Sequence, residues 1–220
     1  MADLIAELDP ERVRANLAEA REAVDDAAAR AGRPPGAVEI VAASKYVGVA
    51  ALGALSEAGV TLLGENRAQA LVEKAAAHPG SFTWDFIGQL QSRKVAQIAP
   101  RVRLIHSVAS ASALVQLERH APAGLEVLIE VNVSAEPGKA GIAPGDLPQY
   151  LDRSPVPVTG LMTMPPLAAR PDDSRRIFAA LRTLADRHGL ARLSMGTSQD
   201  HLVAVEEGAT IVRLGTILYR

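Results

Sequence analysis

The sequence predicts an α/β fold: a single (β/α)8 TIM barrel with an extra N-terminal helix and no second domain. Three observations carry that prediction. Short apolar runs rich in β-branched residues alternate with helical stretches about eight times, the pattern of a parallel sheet under helical cover. The 220 residues suit one domain spanning 1–220, with no linker or charge block at which to divide it. Little chain follows the last strand, whereas a helix precedes the first. That first helix can take the place of a closing one, because the first and last strands of a closed barrel are neighbours. A doubly wound open sheet is the competing fold. The lack of a glycine-rich dinucleotide fingerprint after the first strand counts against it.

The elements follow in order. Asp9-Pro10 is a helix opening, cap then first-turn proline, and helix formers run on to Arg30 before Gly32, Pro34 and Pro35 stop them. Val38 to Ala43 reads as a buried strand, and Val49 to Ala58 as a helix stopped by Gly59. The alternation repeats with strand Val60–Leu63, helix Arg67–Ala77, strand Phe82–Ile87, helix Ser92–Ile98, strand Val102–Ile105 and helix Ala111–Arg119. Leu125 to Val133 is the run richest in β-branched residues. A Gly/Pro-rich loop and a short helix at Leu147–Leu151 lead to strand Val156–Met162. Helix Asp172–His188 has acids at its start and Gly189 beyond its end. Strand Leu193–Met195, helix Gln199–Glu206 and strand Thr210–Leu214 complete the series.

Composition removes whole classes of function. A net charge of -2 argues against a general nucleic-acid binder, which needs a basic face. Zero cysteine excludes a disulfide framework, a thiolate metal site and a cysteine nucleophile. The five histidines lack metal-ligand spacing, so no metal is expected. The first residues carry acids and no Lys or Arg, unlike a signal peptide, and no apolar run nears a membrane span of about 18 residues. A cytoplasmic location is expected.

A barrel of this kind does its chemistry at the C-terminal ends of its strands. Those positions hold Ser44-Lys45, Gly64-Glu65-Asn66, Gly88-Gln89, His106-Ser107, Asn132, Met162-Thr163, Gly196-Thr197-Ser198 and Gly215-Thr216. Strand ends need turn residues in any protein, so the pattern alone is weak. Lys45 is sharper, because lysine is scarce here: only Lys45, Lys74, Lys94 and Lys139. It either snorkels to solvent or sits in the barrel mouth, where burial would lower its pKa and free the amine to attack a carbonyl. Gly196-Thr197-Ser198 before a helix, with Gly215-Thr216, reads either as a phosphate cradle or as two ordinary capped turns. Arg213, inside an apolar run, points either into the barrel or out to a helix-facing ion pair. Asn66 either reaches a ligand ring or is a turn residue. Trp84 reads as core.

Taken together and in order, these residues resemble a known family. Ser44-Lys45, Gly64-Glu65-Asn66, Phe86 to Lys94 (FIGQLQSRK) and His106-Ser107-Val108 come first. Val131-Asn132 with Glu136, Lys139 and Gly141 follows, then Gly160 to Thr163, Leu193 to Asp200 (LSMGTSQD) and Val212 to Thr216. The set is similar to the pyridoxal phosphate homeostasis protein family, related to the N-terminal barrel of alanine racemases, and covers nearly the whole chain. The resemblance implies a fold-type III barrel that holds pyridoxal 5'-phosphate as a Schiff base on Lys45. It implies that Ser198 and Thr216, with nearby backbone such as Gly215, hold the phosphate. Arg213 would face the pyridine nitrogen and Asn66 would lie near the ring. No residue is assigned a catalytic role.

An arginine at the ring nitrogen disfavours its protonation and weakens the electron sink. The implied function is therefore a reversible carrier and regulator of the cofactor, with cofactor-requiring apo-enzymes as the implied partners. A racemase-like enzyme is the alternative, and a barrel for another phosphorylated ligand is a third. Alanine racemases draw an opposing tyrosine from a partner's second domain. With no such domain expected, a monomer is favoured, and Tyr46, Tyr150 and Tyr219 have no evident place in that role. Three positions depart from the family pattern: Asp85 where His is usual, Thr197 where Met is usual, and the ending Ile217 to Arg220 in place of Phe-Gly.

Overall fold

A computed structural model describes residues 4–166 and 170–220. Eight parallel strands close into a barrel in sequence order, the last pairing with the first. They are β1 (Glu39–Ala43), β2 (Leu62–Glu65), β3 (Thr83–Phe86), β4 (Leu104–Val108), β5 (Glu126–Glu130), β6 (Val158–Met162), β7 (Arg192–Thr197) and β8 (Ile211–Leu214). The helices are α1 (Pro10–Arg30), α2 (Leu52–Glu57), α3 (Ala68–Ala77), α4 (Val95–Ile98), α5 (Ala111–His120), α6 (Leu147–Arg153), α7 (Arg175–Arg187) and α8 (His201–Glu206). The predicted barrel is thus present, and the open sheet is excluded by the β1–β8 ladder, which pairs Glu39 with Ile211 through Ala42 with Leu214.

The first helix does close the ring. The Asp9 carboxylate caps α1 by accepting from the Glu11 N–H at 3.0 Å. The helix packs against both α8 and α2. The Asn16 amide donates to the carbonyls of Leu218 and Arg220, tying the chain after β8 to α1. Arg33 donates to the carbonyls of Val205 and Ala209 at the far end of the same seam.

Side chains alternate between two layers, as a strand's two-residue repeat requires. One set faces the helices, among them Ala42, Leu63, Trp84, Ile105, Val127, Leu161, Leu193 and Val212, all buried in the large apolar core. Trp84 packs edge-on against Phe82, the core role expected of it. The other set points to the barrel axis, where Val41, Leu104, Leu128, Met162 and Ile211 form a smaller apolar cluster. Fully burying each such side chain contributes about 1.5–3 kcal/mol, which makes this interior the fold's main support.

Element boundaries differ from the sequence reading in an instructive way. His106 and Ser107 lie inside β4 rather than on the rim, both buried. Strand β5 stops at Glu130, after which Val131 makes a single bridge to Ile142 across the following loop. Helix α8 begins at His201 rather than Gln199, because Asp200 accepts from both the N–H and the hydroxyl of Thr197 and holds a turn there. Among the described residues, no helix is long and apolar enough to cross a membrane.

Candidate functional site

A cavity of about 480 Å³ opens at the C-terminal ends of the strands, within the usual range for small-molecule clefts of roughly 300–1,000 Å³. Lys45, Asn66, Ser198, Arg213, Gly215 and Thr216 all line it. Six positions spread over 170 residues of sequence therefore converge on one mouth.

The Lys45 wall is built at the end of β1. Lys45 is exposed at the mouth rather than desolvated, and its Nζ stands 4.7 Å from the centre of the Tyr46 ring. Its backbone is held on both sides. The Ile5 N–H donates to the Tyr46 carbonyl at 2.7 Å and the Gly48 N–H donates to Ile5 at 2.8 Å. Beneath it, buried Lys74 donates to the Ser44 carbonyl at 2.7 Å and pairs with Glu65. Glu65 also accepts from the Ser44 hydroxyl and from the N–H groups of Asn66 and Arg67. One buried ion pair thereby fixes the backbone that presents both Lys45 and Asn66.

The opposite wall is the pair of turns after β7 and β8. Four residues of β7, Ser194 to Thr197, span the distance covered by three of β8, Ile211 to Arg213. This bulge turns the chain toward the mouth. Gly196 makes it possible, with φ of +91°; a Cβ there would lie 2.6 Å from that of Ala204. Ser198 Oγ accepts from the Gly215 N–H at 3.1 Å. The serine hydroxyl hydrogen is then left to donate to a ligand, which suits an anion. With six residues, α8 is short, so this wall recognises an anion through its local donors more than through a helix dipole.

The floor is charged. Arg213 points into the barrel, the inward of its two readings, and is buried. Its guanidinium donates to the Ser194 carbonyl at 2.8 Å and the Thr163 carbonyl at 3.1 Å, and also to Ser194 Oγ and Met164 Sδ. Burial pulls its pKa down to about 10, against the favourable charges of Asp200 and Glu130. It is still a cation at neutral pH. Glu130 sits on the same floor with Oε2 buried and unpartnered. Burial pushes its carboxyl above the ordinary range, and Arg213 only partly offsets this. Asn66 Oδ1 is likewise buried without a partner. Gly88 lets β3 end against this residue, since a Cβ would fall 2.2 Å from the Asn66 carbonyl oxygen.

Glu130 and the Lys74–Glu65 pair are functional groups that the motif reading passed over. Glu126, Leu128 and Glu130 occupy alternate positions of one strand, so the two-residue repeat carried a signal that both acids face the axis. No sequence signal pairs Lys74 with Glu65. Of the three tyrosines, Tyr46 lines the cavity but adjoins Lys45 and shares its side. Tyr219 is half-buried, but its hydroxyl is buried without a partner, which raises its pKa. Tyr150 donates to the Ala109 carbonyl. Asp85, departing from the family pattern, is engaged by Arg103 and His106 in the interior. Thr197 is held by Asp200, and Leu218 is buried in the core.

An amine and a set of potential anion donors stand on opposite walls of a barrel mouth, and the family that matches residues 8–220 is the alanine racemase N-terminal domain, which gives the class of protein. The chain is 38% identical over 217 residues to the pyridoxal phosphate homeostasis protein of Aquifex aeolicus, covering 92% of this chain and 95% of that one. It is 39% identical over 214 residues to its namesake in Pseudomonas aeruginosa, covering 93% of each. The structure of PipY from Synechococcus elongatus, solved with pyridoxal phosphate bound, superposes with a TM-score of 0.78 at 31% identity, covering 94% of this chain and all of that one. The chain belongs to the pyridoxal phosphate homeostasis protein family.

Proposed function

We propose that this chain is a monomeric cytoplasmic protein that binds pyridoxal 5'-phosphate reversibly, limits its free concentration and passes it to enzymes that require it. The observation that carries this reading is the convergence of Lys45, Ser198, Gly215, Thr216 and Arg213 on one cavity. The residues fit the group. Two buried acceptors without partners, Asn66 Oδ1 and Glu130 Oε2, await polar atoms of a ligand. The Ser198 hydroxyl oxygen accepts from the Gly215 N–H, which leaves its hydrogen free to donate to a ligand.

The bound group supplies an aldehyde that an amine can capture reversibly. Lys45 Nζ would be the amine that holds it. Ser198, Thr216 and the Gly215 turn would hold the phosphate. Arg213, fixed by carbonyls and by Ser194, would present a cationic donor to the ring nitrogen and so disfavour proton uptake there. A second acid or base facing Lys45 across the ligand would be needed for racemisation. Tyr46 does not meet that need, because it stands on the same side as Lys45.

The purified chain mixed with the cofactor should develop near-visible absorbance, and borohydride should fix the cofactor to Lys45. Retention of the same coloured adduct at equal occupancy in Lys45→Ala would overturn the assignment. Racemisation of an amino-acid panel well above the rate of free cofactor would replace the carrier reading with an enzyme. Transfer to an apo-enzyme faster than release into buffer would support delivery; transfer no faster than release would reduce the role to buffering.

A further inference from the structure

Below the cavity, the barrel axis carries a line of hydrogen bonds that ligand capture does not by itself require. Arg103 Nε and Nη2 donate to the two oxygens of Asp85 at 2.9 and 3.2 Å. Asp85 Oδ2 lies 3.1 Å from His106 Nε2, and His106 Nδ1 lies 2.8 Å from Ser194 Oγ. Ser194 Oγ accepts from Arg213, which reaches the cavity floor. Asp85, His106 and Ser194 are fully buried. The surrounding axis is apolar, with Val41, Leu104, Leu128 and Ile211. An all-apolar interior would avoid the cost of desolvating these groups.

The donors and acceptors fix the direction of every link. Arginine only donates, so Arg213 gives to Ser194 Oγ. The Asp85 carboxylate only accepts, which puts the proton of a neutral His106 on Nε2. Nδ1 is then the acceptor, and the Ser194 hydroxyl donates to it. Burial holds His106 neutral, outweighing the pull of Asp85 toward the charged form. Burial would raise Asp85, but His106 and Arg103 outweigh it and keep the carboxylate. The line therefore has one consistent proton arrangement, and Asp85 sets it.

We propose that Asp85 is a positioning residue for the bound ligand: through the tautomer of His106 and the hydroxyl orientation of Ser194 it locks the Arg213 guanidinium at the cavity floor. The identity of the ligand group facing Arg213 rests on the pyridoxal phosphate reading; the lock itself does not. Asp85→Asn is the nearly isosteric probe. Arg103 Nε keeps the amide oxygen at the Oδ1 position, so the amide NH2 replaces Oδ2, gives up the bond from Arg103 Nη2 and donates to His106 Nε2, which moves the imidazole proton to Nδ1. That N–H then donates to Ser194 Oγ beside Arg213 and turns the serine hydroxyl hydrogen away from His106.

In the unloaded chain, the ring ¹⁵N resonances of His106, assigned by their loss in His106→Gln, should report the Nε2–H tautomer. They should report Nδ1–H in Asp85→Asn. The Arg213 Nε–H resonance should shift in Asp85→Asn and in Ser194→Ala, which cuts the line while leaving Asp85 and His106 paired. With pyridoxal phosphate, both variants should bind about tenfold more weakly and show a shifted absorbance maximum. Ser194→Ala carries the test should Asp85→Asn fail to fold. An Nδ1–H tautomer in the unsubstituted chain would overturn the lock. So would an unmoved Arg213 resonance in Ser194→Ala, or an unchanged absorbance maximum in both loaded variants. A chain that takes up no cofactor would instead defeat the functional reading, while the unloaded resonances still decide the lock.

Discussion

The two ends of this barrel are built on opposite terms. At the N-terminal ends of the strands, charges are matched in a chain. Arg103 pairs with Asp85 and Glu39, and Arg192 pairs with Glu39 and Glu126. At the C-terminal ends, charge is left over. Among the described residues Lys45 has no carboxylate partner, and Glu130 Oε2 and Asn66 Oδ1 are buried without one. At one end the acids and cations are paired with one another; the other keeps polar groups open to a ligand. Barrels separate stability from chemistry in this way, with the chemistry at the C-terminal face. Here the separation is visible in the pairing of individual atoms.

Substitutions at the two ends should therefore give opposite profiles. The largest effect is expected at Lys45: Lys45→Ala should lose all borohydride-fixed cofactor, yet unfold within about 0.5 kcal/mol of the parent, as exposed positions do. At the other end, Arg103→Ala strips a buried carboxylate of its cation and should cost about 3 kcal/mol. That is a fall in Tm of about 6–12 °C by calorimetry. The pH dependence has a definite sign. The Asp85 carboxyl is held low in the folded chain, so its contribution is complete above the ordinary aspartate range and is lost as pH falls through its depressed value. The gap between Arg103→Ala and the parent should narrow in acid. A constant gap would remove Asp85 from the explanation.

Smaller effects sharpen the contrast at the mouth. Ser198→Ala should weaken cofactor binding about tenfold, the net worth of one hydrogen bond to a charged group, with an unchanged Tm. Glu130→Gln should show the mouth trading stability for binding. The raised Glu130 carboxyl means that this group supports the fold below its ordinary range and loses that support as pH rises through its folded value. Glutamine carries no charge to desolvate, so the variant should gain about 1 kcal/mol at neutral pH while holding the cofactor less tightly. A loss of stability in Glu130→Gln would mean that the carboxylate is satisfied and the two ends are alike.

Most of the architecture could be read from the chain because each strand is an apolar run and each run is followed by a helix. The errors fall where polar residues enter a strand. His106 and Ser107 read as a rim because a polar pair usually ends a strand; here they continue one, paid for by Asp85, Ser194 and the Gly88 carbonyl. Five of the six proposed site residues were legible because they follow strand ends, and Arg213 because it is a charge inside the apolar run of β8. Their supports were not. Lys74 meets Glu65 and Ser44 across a helix–strand packing, and His106 meets Ser194 across 88 residues. Such partners are set by barrel closure, and no local pattern encodes them.

The β1–β8 seam gives the mouth a place in time as well as space. Lys45 lies just after the first strand, Arg213 lies in the last, and Gly215 and Thr216 follow it. Residues so far apart in sequence meet only after a costly long-range loop closure. An unfinished barrel would hold the lysine without the anion-binding turn. The site is assembled by the same step that joins β8 to β1 and seats α1 against α8. On the proposed reading, holding the cofactor at this site is thereby tied to the completion of folding, because the amine and the anion-binding turns meet only then.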